Sequence, residues 1–285
     1  MIMLTQKNIY VILYCLYFDN LELRMFDFHM HSRVSFDSDE ESAKMLRIAE
    51  QKGLSEICFT DHYDFNDVDR NDRDIFKIED YKQEYDGLTS KKVKIRHGVE
   101  FGLTHWNKIE LENLVKSYNF DFVIGSVHTV SGYDPYFKEY WTYHGNENAF
   151  KNYLIQTLDC VKYHNGFDVL GHINYPSKSI HNPTNTPFRY SEYPDICDEI
   201  MKTIAGKGIG IEINTSGFDR IGEFLPSYDY VRRFKELGGE IITVGSDAHT
   251  CDRVGQYVNK ALEIAKDVFG YVCTFEKRKP IFNKL

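Results

Sequence analysis

The stretch "MFDFHMHSRVSFDSDE" (residues 25–40) joins a short apolar strand pattern, a His-x-His pair and an acidic, serine-rich turn. On the strand period of two, His29 and His31 share one face. A helical pattern follows at "EESAKMLRIAEQKG" (40–53). The same order recurs along the chain. β-Rich runs stand at "FDFHMH" (26–31), "EICFTDH" (56–62), "VKIRHGVE" (93–100), "FVIGSVH" (122–128), "DVLGH" (168–172), "GIGIEINT" (208–215) and "EIITVGSDAH" (240–249). Further helical patterns lie between them at 107–118, 146–166, 193–208 and 227–239, and Gly53, Gly166, Gly206 and Gly238 read as helix stops. Such alternation predicts βα units on a parallel sheet. Seven strands without a glycine-rich phosphate loop favour an α/β barrel over a doubly wound sheet. With no internal repeat or low-complexity linker, 285 residues fit one such domain.

Bulk composition narrows the function classes. Hydrophobic residues at 42% supply a substantial core, and charged residues at 27% argue against disorder. A formal net charge of -9 and the absence of a basic run disfavour nucleic acid as the main partner. The six cysteines, Cys15, Cys58, Cys160, Cys197, Cys251 and Cys273, form no CxxC pair and read as reduced residues of a cytoplasmic protein. "IYVILYCLYF" (9–18) is too short to span a bilayer, and Asp19, Asn20 and Glu22 follow it where a signal peptide would carry small residues. We therefore expect residues 1–24 to be an extension, with Met25 the natural start, and residues 25–285 to form the barrel.

Six of the seven strand runs end in metal-competent side chains: His29 and His31, His62, Glu100, His128, His172, and Asp247 with His249. In an α/β barrel the C-terminal strand ends converge on one mouth, where active sites form. Taken singly, each motif has a plain structural reading. An isolated His-x-His often caps a strand, and His128 or His172 alone reads as a core histidine satisfied by its neighbours. Asp37 reads either as an oxygen ligand returning from the turn or as a helix N-cap, a role open to Ser38 and Asp39 as well. Asp61 and His62 point to opposite faces, so His62 is the expected ligand and Asp61 an outer partner. Glu100 follows apolar Val99, where a carboxylate is costly to bury unless paired or metal-bound. Together, eight ligand-type residues on six strand ends are improbable by chance, and imidazole–carboxylate sets suit zinc, iron or manganese.

These stretches resemble the PHP (polymerase and histidinol phosphatase) superfamily. "DFHMHS", "FTDH", "GVEFG", "GSVHTV", "DVLGHINY" and "GSDAH" carry the likeness. "SFDSDE", "EINTSGF", "ELGGEIITVGSDAH" and the tail "VCTFEKRKP" narrow it to the monofunctional histidinol-phosphate phosphatases. The resemblance covers Met25 to Pro280 in order and implies a distorted (β/α)7 TIM-like barrel holding three divalent metal ions. One ion would take His29, His31, Glu100 and Asp247. A second would share Glu100 and use His128 and His172, and a third would take Asp37, His62 and His249.

A phosphate monoester resists hydrolysis, so its cleavage needs charge stabilisation and a nucleophile, both of which clustered cations supply. The expectation is L-histidinol phosphate as substrate and a metal-bridging hydroxide, held at Glu100 and Asp247, as nucleophile. Asp61 or a bound water would protonate the leaving group. Loop position makes Arg189, Arg220, Asn214 and His181 candidate substrate contacts. Phosphotyrosine protein or nucleotides are alternative substrates. A metal-dependent amidohydrolase would share the barrel, yet no lysine ends the fourth or fifth strand.

Overall fold

Parallel pairing runs through the whole central sheet. The computed structural model describes residues 24–65 and 74–285. The expected extension "IYVILYCLYF" and Cys15 lie outside the described residues. Strands β1 (Met25–Asp27), β2 (Leu54–Phe59), β4 (Lys94–Gly102), β5 (Phe122–Ser126), β6 (Val169–Leu170), β7 (Gly210–Asn214) and β8 (Ile242–Gly245) are hydrogen-bonded in that order, and short β3 (His62–Tyr63) pairs with the end of β4. The sheet closes where the first and last of these strands run on past their ladders. Phe28 N donates to Val244 O at 2.9 Å, Asp247 N to His29 O at 2.7 Å, and His31 N to Ala248 O at 2.8 Å. This is the expected distorted barrel, with one refinement. The run expected over 56–62 is broken at Thr60–Asp61, and β3 resumes it three residues further along β4 in the same register.

The sequence forms these elements for ordinary reasons. β5 and β7 are buried on both faces, so they read as nearly continuous apolar runs. Helices α1 (Ser42–Gln51), α2 (Ile78–Tyr85), α3 (Lys108–Ser117), α4 (Lys138–His144), α5 (Ala149–Tyr163), α6 (Pro194–Gly206), α7 (Phe218–Ile221), α8 (Tyr228–Glu236) and α9 (Val258–Phe269) connect the strands and cover the sheet. In α9, Val258, Ala261, Leu262, Ala265 and Phe269 are buried, a stripe at helical spacing, and Gly270 at φ +74° caps it in the left-handed region. No helix among the described residues is long and apolar enough to cross a membrane.

The tail forms an antiparallel hairpin, β9 (Tyr271–Glu276) and β10 (Lys279–Lys284), which the strand list did not include. It covers the N-terminal strand ends. The Phe275 ring lies 4.7 Å from that of Phe122 at the start of β5, and Arg278 Nε donates to Asp168 Oδ2 at 2.5 Å just before β6. The "EKRKP" tail thus belongs to the barrel floor and does not reach the mouth.

Candidate metal centre

At the opposite end, the side chains expected to converge do so. His29 and His31 leave β1, His62 lies in β3, Glu100 in β4, His128 and His172 follow β5 and β6 by two residues, and Asp247 and His249 follow β8. Glu100 is the hub. Its Oε2 lies 3.1 Å from His29 Nε2, 3.5 Å from His31 Nε2 and 3.2 Å from His62 Nδ1. Its Oε1 lies 2.8 Å from His172 Nε2 and 3.3 Å from His128 Nε2. One carboxylate therefore faces two nitrogen sets, as a bridging ligand must. Asp247 Oδ1 approaches His31 Nε2 at 3.3 Å and His29 Nε2 at 3.6 Å. Asp37 Oδ2, from the turn after His31, stands 3.0 Å from His249 Nε2 and 3.6 Å from His62 Nε2.

Outer partners fix how the rings point. His29 Nδ1 meets Glu212 Oε1 at 2.6 Å, His31 Nδ1 meets Ser35 Oγ at 3.0 Å, and His128 Nδ1 meets Asp64 Oδ2 at 2.7 Å. His249 Nδ1 is held by Asp247 O at 2.9 Å. Such contacts set the tautomer and turn the other ring nitrogen inward as a lone pair. Among the described residues, His29 Nε2, His31 Nε2, His62 Nδ1 and Glu100 Oε2 are buried with no hydrogen-bond partner. Buried polar atoms without partners are expensive, and here they face one another across a shared space. Potential ligand atoms of His29, His31, Glu100 and Asp247 all lie within 4.8 Å of one another, as do those of Glu100, His128 and His172. His31, His62 and His249 form a further set, and His62, Asp64 and His128 another. The residues fit divalent cations, which satisfy such atoms with mixed imidazole and carboxylate donors.

Charge accounts for the acidities. Burial alone would raise Glu100, but His29, His128 and His62 hold it well below the usual carboxylate range. Burial alone would lower His29, but Glu100, Glu212 and Asp247 hold it well above.

The backbone is shaped around these contacts. Asp247 adopts φ +56°, a left-handed conformation that non-glycine residues take at a cost and that recurs at functional sites. Asp27, at the end of β1, pins that loop by accepting from Ser246 N at 2.8 Å, Ser246 Oγ at 2.6 Å and Gly255 N at 2.7 Å. Gly245 is sterically required. A Cβ there would stand 2.2 Å from His29 Cβ and 2.5 Å from Glu212 Oε1.

Of the remaining candidates, Asp61 and Asn214 back the cluster and the others lie away from it. Asp61 is fully buried and accepts from Ser32 N at 2.7 Å, from Ser35 Oγ at 3.2 Å and from the Tyr85 hydroxyl, so it supports His31 through Ser35. Burial pushes its carboxyl up to about 6 against those donors. Asn214 lies at the base of the cluster, donating to Asp247 Oδ2 and Glu212 Oε2 at 3.2 Å each. Arg189 is engaged by Glu223 through two bonds of 2.7 and 2.6 Å, and Arg220 by Ser179 O and Asn185 Oδ1. Neither guanidinium is hydrogen-bonded to a cluster member. His181, beyond β6, is half-buried, and its backbone N–H donates to Ser179 Oγ.

Three residues absent from the sequence expectation belong here: Glu212, Asp64 and Lys178. Lys178 Nζ lies 2.9 Å from Asp247 Oδ2 and 3.0 Å from Ser216 Oγ. Glu212 had a usable signal, a lone carboxylate in the apolar strand "GIEIN", the same cue that marked Glu100. Beside His128 and Asp64 opens a cavity of about 360 Å³ walled by Phe36, Phe65, Tyr133 and Phe137, with Asp134 and Glu139 in its lining and, among the described residues, no lysine or arginine.

Relatives match this chain along nearly their whole length. The probable histidinol-phosphatase of Clostridium acetobutylicum is 33% identical over 257 residues, spanning 89% of this chain and 98% of that protein. The histidinol-phosphatase of Lactococcus lactis is 33% identical over 274 residues, spanning 92% of this chain and 98% of its own. The crystal structure of the Lactococcus lactis histidinol phosphate phosphatase, complexed with zinc, L-histidinol and phosphate, superposes with a TM-score of 0.79 at 31% identity, covering 90% of this chain and 99% of that one. The PHP domain matches residues 27–216, which contain every candidate ligand except Asp247 and His249. With that match, those relatives and a barrel whose strand ends gather the motif residues, the chain belongs to the PHP family.

Proposed function

We propose that this chain is a metal-dependent phosphomonoesterase that hydrolyses L-histidinol phosphate to L-histidinol and phosphate. The observation that carries the reading is the set of buried, partnerless ligand atoms facing one space in the barrel mouth. In this reading, three divalent ions, zinc, iron or manganese, would be held by His29, His31, Glu100 and Asp247, by Glu100, His128 and His172, and by Asp37, His62 and His249. Bound there, such ions neutralise phosphate oxygens and bring a water's pKa towards about 7.

The chain's own contribution is placement. Glu100 and Asp247 arrive ionised despite burial: His29, His128 and His62 hold Glu100 well below the usual carboxylate range, and the Lys178 ammonium, with His29, His31 and His249, does the same for Asp247. Glu212, Ser35 and Asp64 keep three imidazoles oriented, so little reorganisation accompanies binding. The adjoining cavity supports the choice of substrate. Aromatic walls with acidic Asp134 and Glu139 suit a small ester whose organic part carries an ammonium and an imidazole. A nucleoside monophosphate would place an uncharged ribose and base against that acidic lining, with no cation to meet it.

The same reading assigns the activity to residues 25–285, makes residues 1–24 dispensable and places the enzyme in the cytoplasm. The deciding experiment measures phosphate release from L-histidinol phosphate, phosphotyrosine and a nucleoside monophosphate, each with and without a chelator. Chelator-sensitive turnover with strong preference for the first is expected. Preference for either of the others assigns a different substrate.

A further inference from the structure

Ser35, buried in the turn after His31, brings one hydroxyl to three groups. Its Oγ accepts from the backbone N–H of His62 at 2.9 Å, lies 3.0 Å from His31 Nδ1, and donates to Asp61 Oδ1 at 3.2 Å. Behind it, Asp61 Oδ1 also accepts from Ser32 N at 2.7 Å. Asp61 Oδ2 accepts from the hydroxyl of Tyr85, the buried last residue of α2.

Counting protons gives this chain of bonds a single direction. A hydroxyl has one donor and two lone pairs, and a carboxylate only accepts. One lone pair of Ser35 takes the His62 N–H, and its own proton goes to Asp61. The second lone pair must then be met by an N–H on His31 Nδ1. That leaves His31 Nε2 as the bare nitrogen. Nε2 is the atom that is buried without a hydrogen-bond partner, 3.3 Å from Asp247 Oδ1 and 3.5 Å from Glu100 Oε2. In the reverse direction Asp61 would donate to Ser35, and Ser35 would donate to His31 Nδ1. The ring proton would then sit on Nε2, where it blocks a cation. Giving up a proton and holding His31 as a ligand are incompatible tasks for Asp61.

We propose that Asp61 is a positioning residue of the centre, acting through Ser35 to keep the His31 proton on Nδ1 and its lone pair towards the cations, and that it does not protonate the leaving group. The proposal rests on the reading that the mouth holds divalent metal.

The test titrates chelated protein with zinc in a calorimeter, with circular dichroism as the fold control, for the wild type, Ser35→Ala, Asp61→Asn and the double variant. We expect each single substitution to weaken zinc binding about 10- to 100-fold, as loss of an outer partner does. The double variant should lose little more than either single one, because both act through the same ring. A folded Ser35→Ala protein with wild-type zinc affinity overturns the assignment, as do losses that simply add. The wild type gives a reading that needs no variant to fold. In the zinc-loaded protein, labelled with nitrogen-15 at histidine, NMR should find the His31 proton on Nδ1, and a proton on Nε2 overturns the assignment. A wild type that binds no zinc overturns the parent reading together with this one, and the wild-type titration alone tells that failure apart.

Discussion

Glu212 and His29 face each other across the barrel interior, Oε1 to Nδ1 at 2.6 Å, although they are 183 residues apart in the chain. The same carboxylate also accepts from the backbone N–H of His172 and from Asn214. It therefore orients two candidate ligands without touching the shared space itself. Glu212→Gln should keep the fold, because the amide is close in shape, and reduce metal affinity or turnover about 10- to 100-fold. Metal titration of the purified variant, with circular dichroism as the fold control, checks it.

Direct ligands should be less forgiving. His31→Ala and Asp247→Asn are expected to abolish phosphate release while leaving folded protein. Turnover in either variant with metal still bound would exclude the ligand assignment.

Metal removal should affect stability as well as activity. A chelated sample leaves several buried imidazoles and carboxylates without partners, and a ligand that binds only the native state stabilises it by mass action. The expected result is a lower melting temperature after chelation and its recovery on adding back divalent metal. A calorimetric scan with and without metal reads this directly, and equal melting temperatures would count against a bound cluster.

The floor of the barrel should respond differently from the mouth. Arg278 bonds Asp168 and the carbonyl of Gly166, tying the hairpin to the start of β6. Arg278→Ala should cost about 1–3 kcal/mol of stability by leaving Asp168 short of a partner, with turnover per folded molecule unchanged. Urea unfolding alongside the phosphate assay separates the two.

Acid should destabilise the chain through a histidine remote from the centre. His164 is fully buried, and its Nε2 lies 2.7 Å from Thr104 O, so the neutral ring donates there. Burial, with Lys108 and Lys207 nearby, lowers its pKa below the ordinary value. The unfolded chain thus takes up its proton first. The resulting stability is full above about pH 6.5 and declines as pH falls below it. His164→Gln should flatten that part of the stability–pH curve, measured on chelated protein.

The strands and their ends were legible because they obey local rules. Period two and apolar runs mark His29, His31, Glu100, Asp247 and His249 as sharing a face or an end, and barrel geometry then brings them together. Loop residues obey no such rule. Arg189 and Arg220 occupy the loops expected of substrate contacts, yet the loop paths deliver them to Glu223 and Asn185. Lys178 was missed for the same reason, since only the course of the turn after β6 carries it to Asp247. Asp64 shares its motif with His62, and its contact with His128 arises only from the fold. The hairpin at 271–284 is locally legible, since "YVCTFE" is β-rich, but it carries no ligand-type strand end to tie it to the mouth.

The ladder joining the first and last barrel strands has a consequence for how the molecule is made. Residues 29 and 31 leave the ribosome early, whereas 247 and 249 emerge more than two hundred residues later. Most of the polypeptide must therefore be synthesised before the cation pocket can exist. Until then the early imidazoles are loose ligands, open to adventitious capture, and the enzyme matures only when its two ends meet.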